Sequence, residues 1–177
     1  MATTTKPGVT VEYPSGKAII AALKRAAIEY VVAVPDIVTS DGLLWPISRD
    51  PDLKLVRICK EDEGVSICAA MSYNGTRALL LMQQTGLMDS LNAIRAIGMD
   101  YQLPVCMMVG LQGKEAELKP AQSASYGVRI IEPVLDAMQI PSRLVETAAD
   151  IGHIATDIDQ AYRASAPFCF LVGRSPR

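Results

Sequence analysis

Lys60–Ile94 reads KEDEGVSICAAMSYNG, then TRALLLM, then QQTGLMDSLNAI. Glu61, Asp62 and Glu63 lead a segment whose pattern predicts a helix to about Tyr73, closed near Asn74-Gly75, where a left-handed cap is easily adopted. Ala78–Met82 is an uninterrupted apolar run, as expected of a parallel strand covered by helices on both faces. Gln83–Leu87 then predicts a glycine-containing loop that opens a second helix, with Leu91, Ile94 and Ile97 turned inward. In an open sheet of this kind ligands bind beyond the carboxyl ends of the strands. The QQTGL loop and Glu63 are therefore the first places to look for a site.

The flanking sequence has the same alternation. Ser15 can cap a helix whose apolar stripe is Ile19, Ile20, Leu23, Ala26 and Ala27. Tyr30–Val34 reads as a strand stopped at Pro35-Asp36, because proline supplies no amide donor. A short helix follows around Asp41–Ile47, limited by Pro46, and Leu53–Ile58 is the next strand. Beyond the quoted stretch, Val105–Val109, Ser142–Val145 (an edge) and Phe168–Val172 read as strands, and Glu132–Gln139 and Thr147–Ala164 as helices. Leu111–Gly127 is polar and mixed in charge, and a loop of that length is usually functional or ordered by a partner. The fold class predicted is α/β: three layers, α/β/α, around a mainly parallel sheet of about six strands. Residues 1–14 read as a loose lead-in and 15–177 as one domain.

Half of the 177 residues are hydrophobic and 20% are charged, enough for a core and no case for disorder. A net charge of −2 gives no electrostatic reason to expect nucleic acid or a membrane surface. No apolar run approaches the roughly 20 residues that span a bilayer, and no signal-peptide pattern opens the chain, so the expected location is the cytoplasm. Cys59, Cys68, Cys106 and Cys169 sit in apolar or periodic segments without C-x-x-C spacing, and read as free buried thiols. Eight methionines against two phenylalanines suggest adaptable packing. The only histidine, His153, has aliphatic neighbours and nothing to pair it with a nucleophile.

The segments VVAVPD, EDEGVSICAA, LLLMQQTGLMDSLNAI, LPVCMMVG and PAQSASYG, in that order between about Ser15 and Val172, resemble one family. It is the pyrimidine-binding (PYR) domain of the thiamine diphosphate-dependent 2-oxoacid decarboxylases, in particular the sulfopyruvate decarboxylase alpha subunit and the matching half of phosphonopyruvate decarboxylase. The resemblance implies the thiamine diphosphate-binding PYR-domain fold. Three acids in a helix's first turn need no function, since each interacts favourably with the macrodipole by ~0.3–1 kcal/mol. Counted back from Ala69-Ala70, however, Glu63 falls where the family carries its catalytic glutamate, and Glu61 and Asp62 read as solvated neighbours. There the carboxyl group bonds to the pyrimidine ring nitrogen and promotes the imino tautomer that activates the thiazolium carbon. The cofactor then carries the carbanion chemistry. Such a glutamate is expected to be desolvated, so that it shares its proton near neutral pH.

The resemblance also assigns Gln84, Thr85, Gly86 and Leu87 to cofactor contact, and Pro35, Asp36 and Gln122 to the substrate side, with the PAQSASYG segment closing over the site. Ser72, Met88 and Asp89 depart from the family's glycine and asparagine positions. No metal ligand is assigned: the Gly-Asp-Gly motif that holds the magnesium and diphosphate is absent from the sequence. A second polypeptide, a beta subunit carrying the diphosphate- and magnesium-binding (PP) domain, is the implied partner, and self-association of alpha subunits is implied as well. The implied activity is that of a carbon-carbon lyase, active only with its partner, on a small anionic 2-oxoacid: sulfopyruvate first, giving sulfoacetaldehyde and carbon dioxide, phosphonopyruvate second. A carboligase subunit sharing the cofactor and a catalytically silent scaffold of the same shape are the alternatives. Arg57, Lys60, Lys114 and Arg129 are unranked candidates to meet the substrate's anion.

Overall fold

A computed structural model of the chain describes residues 12–177. Its strands are β1 (Tyr30–Ala33), β2 (Lys54–Arg57), β3 (Ala78–Gln83), β4 (Cys106–Gly110), β5 (Ser142–Val145) and β6 (Phe168–Val172), joined in the order β2-β1-β3-β4-β6-β5. Every pairing is parallel, so the sheet is wholly rather than mainly so. The reason is that each strand returns to the next through a helical crossover, which parallel pairing requires.

Strand side chains alternate between two buried clusters, as the pleat dictates. Val31, Ala33, Leu79, Leu81, Met108 and Phe170 face α1 (Gly16–Arg25), the helical turns of 40–47 and, near the C-terminus, residues 154–164. Val32, Leu80, Met82, Met107, Val109 and Leu171 face α3 (Glu61–Tyr73) and residues 84–100 and 126–137. The unbroken apolar runs in the sequence are strands with one such face on each side. Met82, Met107 and Met108 are fully buried, and Met71, Met88, Met99 and Met138 pack against the second cluster, in keeping with the adaptable packing expected of them.

Several boundaries differ from the sequence reading for local reasons. The Asp41–Ile47 helix is a wide π-type turn, Ser40–Leu44, running into α2 (Trp45–Ile47); Trp45 donates its N–H back to Ser40, and Pro46, without an N–H, sits in the first turn of α2. No loop separates β3 from the next helix: Gln83 is the cap and α4 (Gln84–Asp89) begins at once, followed by α5 (Leu91–Ala93) and a π-type turn, Ile94–Asp100. Ile94 is fully buried while Leu91 and Ile97 are only partly so. The segment after β4 contains a single 3-10 turn, Pro120–Gln122, before α6 (Tyr126–Arg129) and α7 (Ile131–Ala137). The helix read over Thr147–Ala164 is two, α8 (Ala148–Ile151) and α9 (Ile154–Ala164), because Gly152 and His153 tighten to three-residue hydrogen bonds onto Ala149 and Asp150. His153 is exposed.

Of the lead-in, residues 1–11 lie outside the described residues. Pro14 accepts a hydrogen bond from the Arg177 N–H at 2.9 Å, and Gly16 donates to the Arg177 carbonyl at 2.8 Å. No helix among the described residues is long and apolar enough to cross a membrane.

Candidate active site at the carboxyl rim of the sheet

Because all six strands run the same way, their carboxyl ends form one rim. Chain direction reverses between β1 and β3: the crossover from β1 leads outward to β2, and that from β3 leads the other way to β4. Such a switch point opens a crevice. It is bordered by the turn after β1, the start of α3 after β2, and the start of α4 after β3.

Glu63 is in the first turn of α3 and is exposed. Its Oε2 accepts long hydrogen bonds from the N–H groups of Cys59 (3.3 Å) and Lys60 (3.4 Å), closing the helix start as a third-position acid does in a capping box. The desolvated glutamate expected from sequence is therefore not desolvated by the described residues, because none of the described elements covers it at this point of the rim. Glu61, read as a solvated neighbour, is half-buried, and its carboxylate lies against the bare Cα of Gly86: a Cβ there would overlap it. Gly86 lies within α4 and does not have a positive φ, so its use is this close approach and not a turn. Nothing in the sequence pairs positions 61 and 86, since the contact depends on how α3 and α4 meet.

The remaining residues divide between structural and open roles. Gln84 is 4% exposed and its side-chain amide is spent: Nε2 donates to the Gln112 carbonyl at 2.9 Å and Oε1 accepts from the Gln112 N–H at 2.8 Å, tying α4 to the end of β4. Leu87 belongs to the core, which leaves only its backbone for a cofactor. Thr85 is exposed, its hydroxyl accepting from Gln83 Nε2 at 2.9 Å. Asp36 is buried and holds its own turn, accepting from Val38 N–H (2.7 Å), Thr39 N–H (2.9 Å) and the Thr39 hydroxyl. Pro35 beside it is exposed, as is Gln122. Ser72 lies at the far end of α3, where its hydroxyl donates to the Cys68 (2.9 Å) and Pro104 (2.8 Å) carbonyls before β4. It thus belongs to the amino side of the sheet, while Met88 and Asp89, in α4, stay at the rim.

Three of the four cysteines are buried, as expected, and desolvation pushes the Cys106 thiol up to about 12 and those of Cys68 and Cys169 upward too. Cys59 is exposed, a correction explained by its place in the β2–α3 connection on the rim. Among the described residues no group of three or more His, Cys, Asp or Glu is placed to hold a metal ion.

No family model matches the chain. Among curated proteins, it is 31% identical over 136 residues to sulfopyruvate decarboxylase subunit alpha of Methanothermobacter thermautotrophicus, covering 77% of this chain and 81% of the relative. The chain belongs to the sulfopyruvate decarboxylase alpha-subunit family. The alpha subunit of Methanocaldococcus jannaschii is 32% identical over 125 residues, covering 71% of this chain and 72% of that one. A sulfopyruvate decarboxylase of Methanosarcina acetivorans matches at 27% over 104 residues, 59% of this chain but 26% of its own length, so the matching region there is part of a longer polypeptide. Among solved structures, a 2-oxoglutarate:ferredoxin oxidoreductase from Magnetococcus marinus shares the fold, with a TM-score of 0.65 at 15% identity over 98% of this chain and 31% of that one.

Proposed function

We propose that residues 15–177 form the pyrimidine-binding domain of a heteromeric thiamine diphosphate-dependent 2-oxoacid decarboxylase, and that its substrate is sulfopyruvate. Family membership supports the substrate. The observation that carries the mechanism is an exposed carboxylate, Glu63, fixed by its own helix start at the mouth of the switch-point crevice.

The residues present fit one half of the cofactor. Glu63 is exposed and its Oε1 makes no hydrogen bond with the described residues, which leaves it available to a ring nitrogen. Beside it, Gly86 is buried under the Glu61 carboxylate, so that α3 and α4 approach closely where the crevice opens. They do not fit the diphosphate, for which no cluster of metal-ligating side chains exists among the described residues. That half, with its magnesium, belongs to a partner subunit, whose surface also supplies the cover that Glu63 lacks.

When bound, the cofactor supplies the electron sink for loss of carbon dioxide. Glu63 holds and moves the proton at the pyrimidine ring nitrogen, and its desolvation comes with assembly. The backbone of Gln84–Leu87 orients the ring. The Pro35-Asp36 turn, rigid because the Asp36 carboxylate bonds its own loop, walls the substrate side. Gln122 and its neighbours exclude water from above.

Carbon dioxide release from sulfopyruvate tests this. It is expected only when the chain, its partner, thiamine diphosphate and magnesium are all present. A complete mixture that binds the cofactor and leaves sulfopyruvate intact contradicts the assignment of substrate.

A further inference from the structure

The start of α3 gathers three carboxylates in one turn, an arrangement that repels a 2-oxoacid carrying a second anionic group unless a cation stands close by. The structure separates the four cations that the sequence leaves unranked. Lys114 has a fully buried side chain whose Nζ lies 2.5 Å from Glu146 Oε1 and donates to the Glu115 carbonyl at 3.0 Å. Arg129 donates through one nitrogen to the carbonyls of Ser123 (2.7 Å) and Ala124 (2.8 Å), and its guanidinium lies over the Tyr126 ring. Lys60 stands 3.7 Å from Asp62. Arg57 is exposed, and its guanidinium has no ion-pair or hydrogen-bond partner among the described residues.

Its place in the fold is as telling as its lack of partners. Arg57 is the last residue of β2, in register with Ala33 of β1, just below the Pro35-Asp36 turn. It is two residues from Cys59, whose N–H Glu63 grips, a span of at most about 7 Å along the chain. Along β2 it falls on the pleat of Leu55, the α1 side of the sheet, whereas Val56 faces the α3 side. Arg57 and the helix that carries Glu63 therefore meet the carboxyl rim beside the crevice from opposite faces of the sheet. A guanidinium offers planar, paired donors that suit a sulfonate or phosphonate.

We propose that Arg57 binds the second anionic group of the substrate and so determines the preference for a dianionic over a monoanionic 2-oxoacid. This rests on the decarboxylase reading given above. The test uses the assembled complex with cofactor and magnesium, comparing the parent with Arg57→Met, Arg57→Lys and Lys60→Met. For Arg57→Met the KM for sulfopyruvate rises about 10- to 100-fold, as loss of a charged hydrogen-bond partner implies, while kcat changes little. The inhibition constant of pyruvate, which lacks the second anion, stays at the parental value, and Arg57→Lys recovers part of the loss. A merely structural role would move both ligands together. An unchanged sulfopyruvate KM in Arg57→Met, an equal loss for pyruvate, or transfer of the whole effect to Lys60→Met overturns the proposal while leaving the decarboxylase reading intact. A parental complex that binds cofactor but does not decarboxylate sulfopyruvate overturns both.

Discussion

The two halves of the carboxyl rim are built on opposite principles. Above β4, β5 and β6 the charges nearest the strand ends are consumed within the chain: Lys114 is buried against Glu146, Arg174 donates to the Ala116 and Glu12 carbonyls, and Glu146 packs over the bare Cα of Gly173. Above β2, β1 and β3 Glu63 and Arg57 are left outward and Glu61 leans on Gly86, while Asp36 is spent on its own turn. One half is finished as it stands, and the other has the composition of a site that a second surface completes. Buried groups of the first kind cost stability when broken, whereas outward groups cost function.

Substitutions can break that contrast. The largest effect is expected for Glu63→Gln, which keeps the shape but removes the acid: carbon dioxide release by the assembled enzyme falls by about 10²- to 10⁴-fold, while loss of the charge at the helix start lowers the melting temperature by no more than about 4 °C. Parental activity would remove Glu63 from the chemistry. On the finished half, Lys114→Met removes the nearer counter-charge of Glu146, leaving Arg174 at 3.7 Å, and is expected to cost about 2 to 3 kcal/mol in denaturant unfolding, where Arg57→Met and Lys60→Met stay within about 0.5 kcal/mol of the parent. Equal losses at all three positions would erase the distinction. Gly86→Ala forces the Glu61 side chain aside, so about a tenfold loss of activity is expected with less than about 1 kcal/mol of destabilisation. The mildest probe is thiol titration of the native chain: Cys59 reacts at once, and Cys68, Cys106 and Cys169 only on unfolding. Two or more fast thiols would mean that the core opens readily.

The same division explains what the sequence disclosed. Strand positions and the limits of α3 were legible because their apolar runs and caps are local, and Ser142–Val145 and Phe168–Val172 were found to the residue. The break at Gly152–His153 was not, because a helical pattern continues across it and only backbone bonding shows the tightened turn. The QQTGL segment was read as a loop on the strength of its glycine, but Gly86 serves a contact from α3 that no local pattern encodes. At the site, the family resemblance singled out Glu63 among the three acids that open α3, while its exposure depends on which of the described elements lie over that rim. Asp36 and Gln84 were legible as rim residues; that their side chains are spent on Thr39 and Gln112 depends on tertiary packing.

The central claim, that this chain supplies one half of a shared cofactor site, is tested most directly by thermal unfolding with and without thiamine diphosphate and magnesium. The chain alone, the partner alone and the mixture would be compared. A ligand that binds only the assembled site raises the melting temperature of the mixture and not that of this chain. A cofactor-dependent rise for the isolated chain equal to that of the mixture would contradict the account.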